Sequence, residues 1–532
     1  MTNSIPEIED CDLMMVIGSN TTEAHPVIAM AMKKALHRGC KLIVADPRAI
    51  WLTQMADLHI QHEPGSDVWL VNAMTHVILA EGLEDKTYIE QNCEQFEAFR
   101  DNVQRYTPEL AEKVTGVPAE QIRTAARMYA TTKKAGIFYT LGITEHTHGT
   151  DNVFALANLV AITGHLGVRS AGLNPLRGQN NVQGAGDLGA HPDNLPGTQK
   201  VADPVARARY EKAWGVNLTT ERGLNLTEIM TGVEHGTIKG MFCMGEDILI
   251  SEPNAGQLEA ALNHIEFLVV QEIFPSETMR FAHVVLPAGC FAEKDGTFTN
   301  TDRRVQRVRK GVEPPGQARP DWEILVDLIR ACGYPTPNYR TPAEIWDEMA
   351  VESPRFMGIS HDRLDRDGGI QWPCPTEDHP GTPILHIDKP MRGKVLLRAV
   401  EYRPPVEPTC NEYPLVLSTG RVLYHYNAAN QTVREMGAVL KVPNNFLEMH
   451  RFDAKQLGVT NGEKVRVTSR RGAVVVEAMV SPRMKPGLVW MPLHNFGDPS
   501  NRANLLTIDK VDETTGTPEF KVCAVRVERL AA

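Results

Sequence analysis

The chain opens on a short apolar run, "DLMMVI" at 12–17, that stops at a Gly-Ser-Asn turn. A run of that length bounded by a turn predicts a buried strand. "EAHPVIAMAMKKALHRG" follows, with apolar residues at helical spacing and Gly39 as its stop, which predicts a helix. "CKLIVADPR" then supplies a second apolar, β-branched run. The rhythm is β-α-β, and a right-handed crossover makes two such strands parallel and adjacent. It continues with a helix over "VPAEQIRTAARMYATTKK", a strand over "AGIFYTLGIT" and an apolar helix over "DNVFALANLVAITGHLG". A second series contains the strands "GMFCMGEDIL", "FLVVQEIF" and "HVVLPAG", with a helix near 255–263 between the first two. From about 300 to 400 the pattern is irregular, and "MGISHDRLDRDGGIQWPCP" reads as long loop. Past the Pro-rich "EYRPPVEPTCNEYP" the period changes to two. "EKVRVTSRRGAVVVEAMV" predicts a hairpin with Arg471 and Gly472 near its turn. With "PLVLSTGR", "LVWMPLH" and "KVCAVRVERL" it predicts a β-barrel.

The fold class expected is therefore α/β, with two doubly wound α/β domains around a ligand cleft plus a C-terminal β-barrel. The segments read as 1–180, 181–290, an irregular connection at 291–400, and 401–532. At 532 residues the chain is too long for one core, which agrees with several domains. A formal charge of −11 and the lack of any long basic run argue against a nucleic-acid partner. No apolar run reaches the roughly 18 residues of a membrane span. None of the nine cysteines forms CxxC, so this chain carries no zinc or ferredoxin-type motif. Scattered thiols imply a reducing, cytoplasmic setting.

In parallel sheets ligands bind beyond the carboxyl ends of strands, where turns meet helix N-termini. Three turns fit that position: Gly18, Ser19 and Asn20; Asp46, Pro47 and Arg48; and Pro64 to Asp67. The second series adds Gly245, Glu246 and Asp247 after one strand and Glu272 at the next. Any one of these turns would also serve as a simple helix cap. Between the two series lies "NPLRGQNNVQGAGDLGA", residues 174–190, with Arg177, five side-chain amides, several glycines and a single acid, Asp187. Amides on a glycine-rich backbone suit a polar ligand held at close range. His146 and His148, at i, i+2 in a strand-to-helix turn, are poorly spaced for a metal and read as packing or capping residues.

Taken in order, "GSNTTEAHP", "DPR", "EPGSD", "NPLRGQNNVQGAGDLGA", "MGED", "QEIF", "VVLPA", "STGRVLYHYN" and "TPEFKVCAVRV" resemble the molybdopterin oxidoreductases of the dimethyl sulfoxide reductase type. Among these the sequence is most similar to the catalytic α subunits of formate dehydrogenases. The resemblance implies a cofactor cleft holding bis-molybdopterin guanine dinucleotide with molybdenum or tungsten. It implies that Asn20, Asp46, Arg48, Gly65 and Asp67 serve one dinucleotide. Gly245, Glu246, Glu272 and Asp321 would serve the other, with Arg421, His425 and Tyr426 from the barrel, while Gly178 and Gln179 lie between the pterins. Glu145 departs from the glutamine usual at its position. Arg177 matches the family arginine that orients formate, and a guanidinium fork suits a carboxylate.

The reaction implied is formate to carbon dioxide, with electrons leaving through iron-sulfur clusters and their subunits, no nucleic acid and no membrane span. The family's metal ligand is a cysteine or selenocysteine followed directly by histidine, next to a 4Fe-4S region. No cysteine here is followed by histidine, and the family pattern places both features upstream of residue 1. The resemblance thus implies the later part of a catalytic subunit, joined to an N-terminal part and inactive when made alone. Two other readings stay open: another molybdopterin enzyme such as a nitrate reductase, or a cofactor-free scaffold subunit.

Overall fold

The computed structural model describes residues 1–334, 338–494 and 496–530. They form two compact units, each discontinuous in sequence. One comprises Met1–Leu176, Ile248–Glu259 and Ile384–Ala532, the other Arg177–Asp247 and Ala260–Pro383.

The first unit contains a five-stranded sheet of β1 (Leu13–Ile17), β2 (Lys41–Ala45), β3 (Leu58–Ile60), β4 (Ala135–Tyr139) and β5 (Gly172–Pro175). The strand order is β3-β2-β1-β4-β5 and every pairing is parallel. The unbroken apolar run of β1 follows from burial on both faces. Met14 and Val16 pack with Ile28, Met32 and Ala35 of the helix Pro26–His37. Leu13, Met15 and Ile17 pack on the other face with the helices Asp67–Ala80, Ala119–Thr131 and Gly149–Ile162. The run "AGIFYTLGIT" is strand only as far as Tyr139, because Leu141–Thr144 turns into one helical coil where Gly142 meets Gly18.

The second unit holds a parallel sheet of β6 (Gly240–Met244), β7 (Phe267–Glu272) and β8 (Val284–Pro287), in the order β8-β7-β6. A small antiparallel sheet of β9 (Gly296–Thr299), β10 (Arg304–Val308) and β11 (Ile370–Gln371) lies in the same unit. The stretch read as long loop is not one. It contains the helix His361–Asp367 and β11, organised by the buried Arg363, whose guanidinium donates to the carbonyls of Gly358, Thr376 and His379. The helices Asp321–Ala331 and Pro342–Glu352 likewise give regular structure to the region expected to be irregular.

The C-terminal part of the first unit is a closed barrel of β12 (Leu415–Gly420), β13 (Phe446–His450), β14 (Lys464–Thr468), β15 (Ala473–Ser481), β16 (Leu488–Pro492) and β17 (Cys523–Arg529). Their order around it is β12-β16-β13-β15-β14-β17. β14 and β15 form the expected hairpin, with Thr468 opposite Ala473. Val465, Val467, Val474 and Val476 point inward, which is the period of two seen in the sequence.

Candidate functional site

In the first unit the chemistry gathers where the parallel strands end. Gly18 follows β1 at φ +55°, and a Cβ on it would stand 2.8 Å from the carbonyl carbon of Gly142. Only glycine tolerates both that conformation and that approach. Its carbonyl accepts from Thr140 Oγ1 at 2.7 Å and from the Gly142 N–H at 3.1 Å, so the turn after β1 is clamped to the turn after β4. Asn20 is half-buried, its side-chain oxygen accepting from Thr22 Oγ1 at 3.2 Å. After β2, Asp46 accepts from the Arg48 N–H at 2.9 Å, and burial raises its carboxyl above the ordinary range. After β3 come Gly65, at φ +78°, and Asp67, whose carboxylate lies 3.1 Å from His62 Nε2. Burial alone would lower His62, but Asp67 outweighs it and the net shift is upward.

Two expected ligand residues, Arg48 and His425, are bound up with the barrel and its loops. The Arg48 guanidinium lies 2.6 Å from Glu448 and 4.0 Å from the Trp490 ring centroid, which commits its charge to the barrel. His425 is buried with both ring nitrogens engaged, Nδ1 with Thr432 Oγ1 at 3.1 Å and Nε2 with the Val442 carbonyl at 2.8 Å. Arg421 differs. It stands at the end of β12 with its guanidinium 5.4 Å from the Tyr426 ring and no ion pair among the described residues. Glu145 pairs with Lys521 at 2.7 Å, and Lys521 Nζ also donates to the Thr419 carbonyl at 3.0 Å.

The second unit gathers the other set at the ends of β6 and β7. Gly245 sits at φ +63° with no atom within 4 Å of where a Cβ would stand. Its N–H donates to the Gln271 carbonyl at 2.9 Å. Glu246 is exposed beside it, and Glu272 ends β7, its carboxyl raised by burial and then by Asp247 and Glu246. Asp321 accepts from Gln271 Nε2 at 2.7 Å and pairs with Lys294.

Arg177 belongs to this unit too. Its N–H donates to Thr301 Oγ1 at 2.9 Å, while its side chain is exposed and makes no ion pair among the described residues. Gly178 and Gln179 follow it, half-buried. The rest of the amide-rich segment is anchored by Asp187, which accepts from Gln183 Nε2 at 2.8 Å and from Trp372 Nε1 at 2.7 Å. The first unit also has a cavity of about 680 Å³, lined by Lys33, Trp51, Tyr424 and Asn445 among others. Arg48 is the one residue of the expected set that lines it.

Sequence reasoning gave no role to Glu519, Lys521, Thr301 or Asp187. Glu519 and Lys521 lie within the quoted "TPEFKVCAVRV", but no local pattern announces what a carboxylate there will meet.

Strand-end turns of this kind are where open parallel sheets bind nucleotide-like ligands. The model of the Molybdopterin oxidoreductase family matches residues 1–331, and that of the Molydopterin dinucleotide binding domain matches residues 415–524. The chain belongs to the molybdopterin oxidoreductase family. It is 44% identical over 534 residues to the F420-dependent formate dehydrogenase 2 subunit alpha of Methanococcus maripaludis, covering 100% of this chain and 78% of that one. It is 38% identical over 538 residues to formate dehydrogenase H of Escherichia coli, covering 100% of this chain and 74% of the other. Acetylene hydratase from Pelobacter acetylenicus shares the fold at a TM-score of 0.78 and 20% identity, over 99% of this chain and 81% of that chain.

The residues present fit the family's cofactor. The bare Gly245 backbone leaves open space for a close approach, and Arg421 offers a half-buried cation to an anionic group.

Proposed function

We propose that this chain serves as the catalytic part of a molybdenum or tungsten formate dehydrogenase, converting formate to carbon dioxide reversibly. The names of its relatives support the substrate. The observation that carries the reading is Arg177, a guanidinium with no ion pair among the described residues, on a backbone held by Thr301. Formate is a small carboxylate, and the planar fork matches its two oxygens. In that role Arg177 binds and orients formate. Asn20, Asp46, Gly65 and Asp67, with Arg421 and Tyr426, hold one pterin dinucleotide, and Gly245, Glu246, Glu272 and Asp321 hold the other. Gly178 and Gln179 lie between the two. Arg48 and His425 act through the loops they brace.

When bound, the metal-pterin group supplies the acceptor for the two electrons released as formate becomes carbon dioxide and a proton. A 4Fe-4S cluster and iron-sulfur partner subunits would carry the electrons away, in the cytoplasm.

The test is Arg177→Lys in the complete loaded enzyme. Lysine keeps the charge but not the fork, so formate turnover should fall about 100-fold or more, the scale for losing a group that positions substrate, with metal and pterin content unchanged. Equal loss of cofactor and activity would make Arg177 a cofactor ligand and remove the support for formate.

A further inference from the structure

Glu519 is 1% exposed, yet its carboxylate carries four contacts. Oε1 accepts from the Lys521 N–H at 3.1 Å and the Val522 N–H at 3.0 Å, Oε2 accepts from the Thr147 N–H at 3.1 Å, and His146 Nδ1 lies 3.1 Å from Oε1. A buried carboxylate is tolerated only when it is satisfied in this way. The contacts join two segments far apart in sequence, the turn after β4 and the approach to β17. The Phe520 N–H donates to the Glu145 carbonyl at 3.2 Å and completes the seam.

The seam reaches the candidate ligand residues in both directions. His146 Nε2 contacts the Gly142 carbonyl at 3.1 Å, and Gly142 is clamped to Gly18 before Asn20. On the other side the Phe520 carbonyl accepts from the Thr419 N–H and Oγ1, and Lys521 bridges Glu145 to the Thr419 carbonyl, two residues before Arg421.

We infer that the buried Glu519–His146 pair is a positioning device, fixing the Gly18 turn, Glu145 and Arg421 in one arrangement that holds a pterin dinucleotide. The inference rests on the function proposed above. The pair touches neither substrate nor metal. It acts through the backbone it orders, as outer partners of a bound group do.

Electrostatics around the pair agree with that geometry. Burial opposes a charge on His146, but Glu519 and then Asp67 raise its value to about 9, while the same contacts hold Glu519 low. The groups facing it are Glu519 from the barrel and Asp67, paired to His62, from the start of its helix. His148, stacked on it at 5.9 Å and lowered by burial, and Arg403 complete the surroundings. His146 is therefore cationic at neutral pH, and its contribution is lost as pH rises through about 9.

The test uses the complete, cofactor-loaded enzyme as wild type, Glu519→Gln and His146→Gln. Two readouts are taken: backbone amide exchange, and the rate at which pterin is released into buffer. Both variants should release pterin about tenfold faster or more at neutral pH, the scale of lost outer partners. Exchange should rise at residues 18–20 and 419–421 as well as at Thr147, Lys521 and Val522. Wild type, with no mutation to disturb folding, should show the same acceleration once pH passes about 9. Unchanged release in both variants, or exchange confined to the three amides bonded to Glu519, would overturn the inference alone. A wild-type enzyme that holds no pterin would overturn both this inference and the proposed function.

Discussion

Arg48 lies 2.6 Å from Glu448, which also accepts from Arg483 Nε at 2.8 Å, and all of this occurs with Glu448 fully buried. Such a pair adds little net stability over an apolar pair of the same shape, but breaking it strands a charge. Glu448→Leu should therefore cost about 3–5 kcal/mol. The double variant Arg48→Met/Glu448→Leu should recover most of that loss. Urea denaturation of the three proteins decides it, and a double variant as unstable as Glu448→Leu would rule out the stranded-charge account. The sequence "DPR" suggested a ligand because it fills a turn beyond the end of a parallel strand, where such sheets bind ligands, and because the family resemblance assigns Arg48 to a dinucleotide. Nothing in those three letters reveals a carboxylate four hundred residues on.

At the scale of elements, the strands of the first sheet were legible because burial on both faces makes them uninterrupted apolar runs. β13 was missed for the complementary reason. Its sequence Phe446–His450 places Glu448 in the middle, on the face opposite the core residues Leu447 and Met449, and only the ion pairs with Arg48 and Arg483 make its burial there tolerable. The helix His361–Asp367 hid in a polar, glycine-flanked stretch because its stability comes from Arg363 clasping distant carbonyls, which has no local period. The strand-end turns were legible as a candidate site since glycine and capping residues mark where parallel strands stop. The seam at Glu519 was not, since it joins two elements with no shared motif. The Gly18 turn gives an element-scale prediction. Gly18→Ala would place a Cβ 2.8 Å from the Gly142 backbone at a left-handed φ of +55°. The conformation alone costs about 1–2 kcal/mol, and separating the turns adds to it. The thermal midpoint should fall by about 1–3 °C, the shift that about 1–2 kcal/mol produces in a unit of this size, and an unchanged midpoint would mean the two turns do not need to touch.

For the molecule as a whole, acid is the condition that should unfold it. His165 and His494 are buried histidines held neutral, with values pushed down by burial to about 4 and about 3. The structure shows why. His494 Nε2 accepts from the Val422 N–H at 3.0 Å while Nδ1 donates to the Asn427 carbonyl, so a second proton would break the Val422 bond. His165 spends its nitrogens on Thr163 Oγ1 at 2.9 Å and the Thr132 carbonyl at 2.8 Å. Both folded values lie below the unfolded value of about 6.5. The unfolded chain therefore binds these protons first, and the stability each residue provides is complete above about pH 6.5 and lost as pH falls through its folded value. At about 1.4 kcal/mol per unit, they account for roughly 3 (His165) and roughly 5 (His494) kcal/mol of acid sensitivity. Glu519 and Asp512, both held low by their partners, act in the same direction. His146 acts oppositely: its contribution is complete below about pH 6.5 and falls away as pH rises toward about 9, so stability should peak near pH 6.5. His494→Gln isolates one contribution, because glutamine can donate and accept in the same place without titrating. Its midpoint in urea should be lower than wild type at neutral pH but fall less steeply from pH 6.5 toward 4. Parallel curves for the two proteins would show that His494 takes no part in the acid transition.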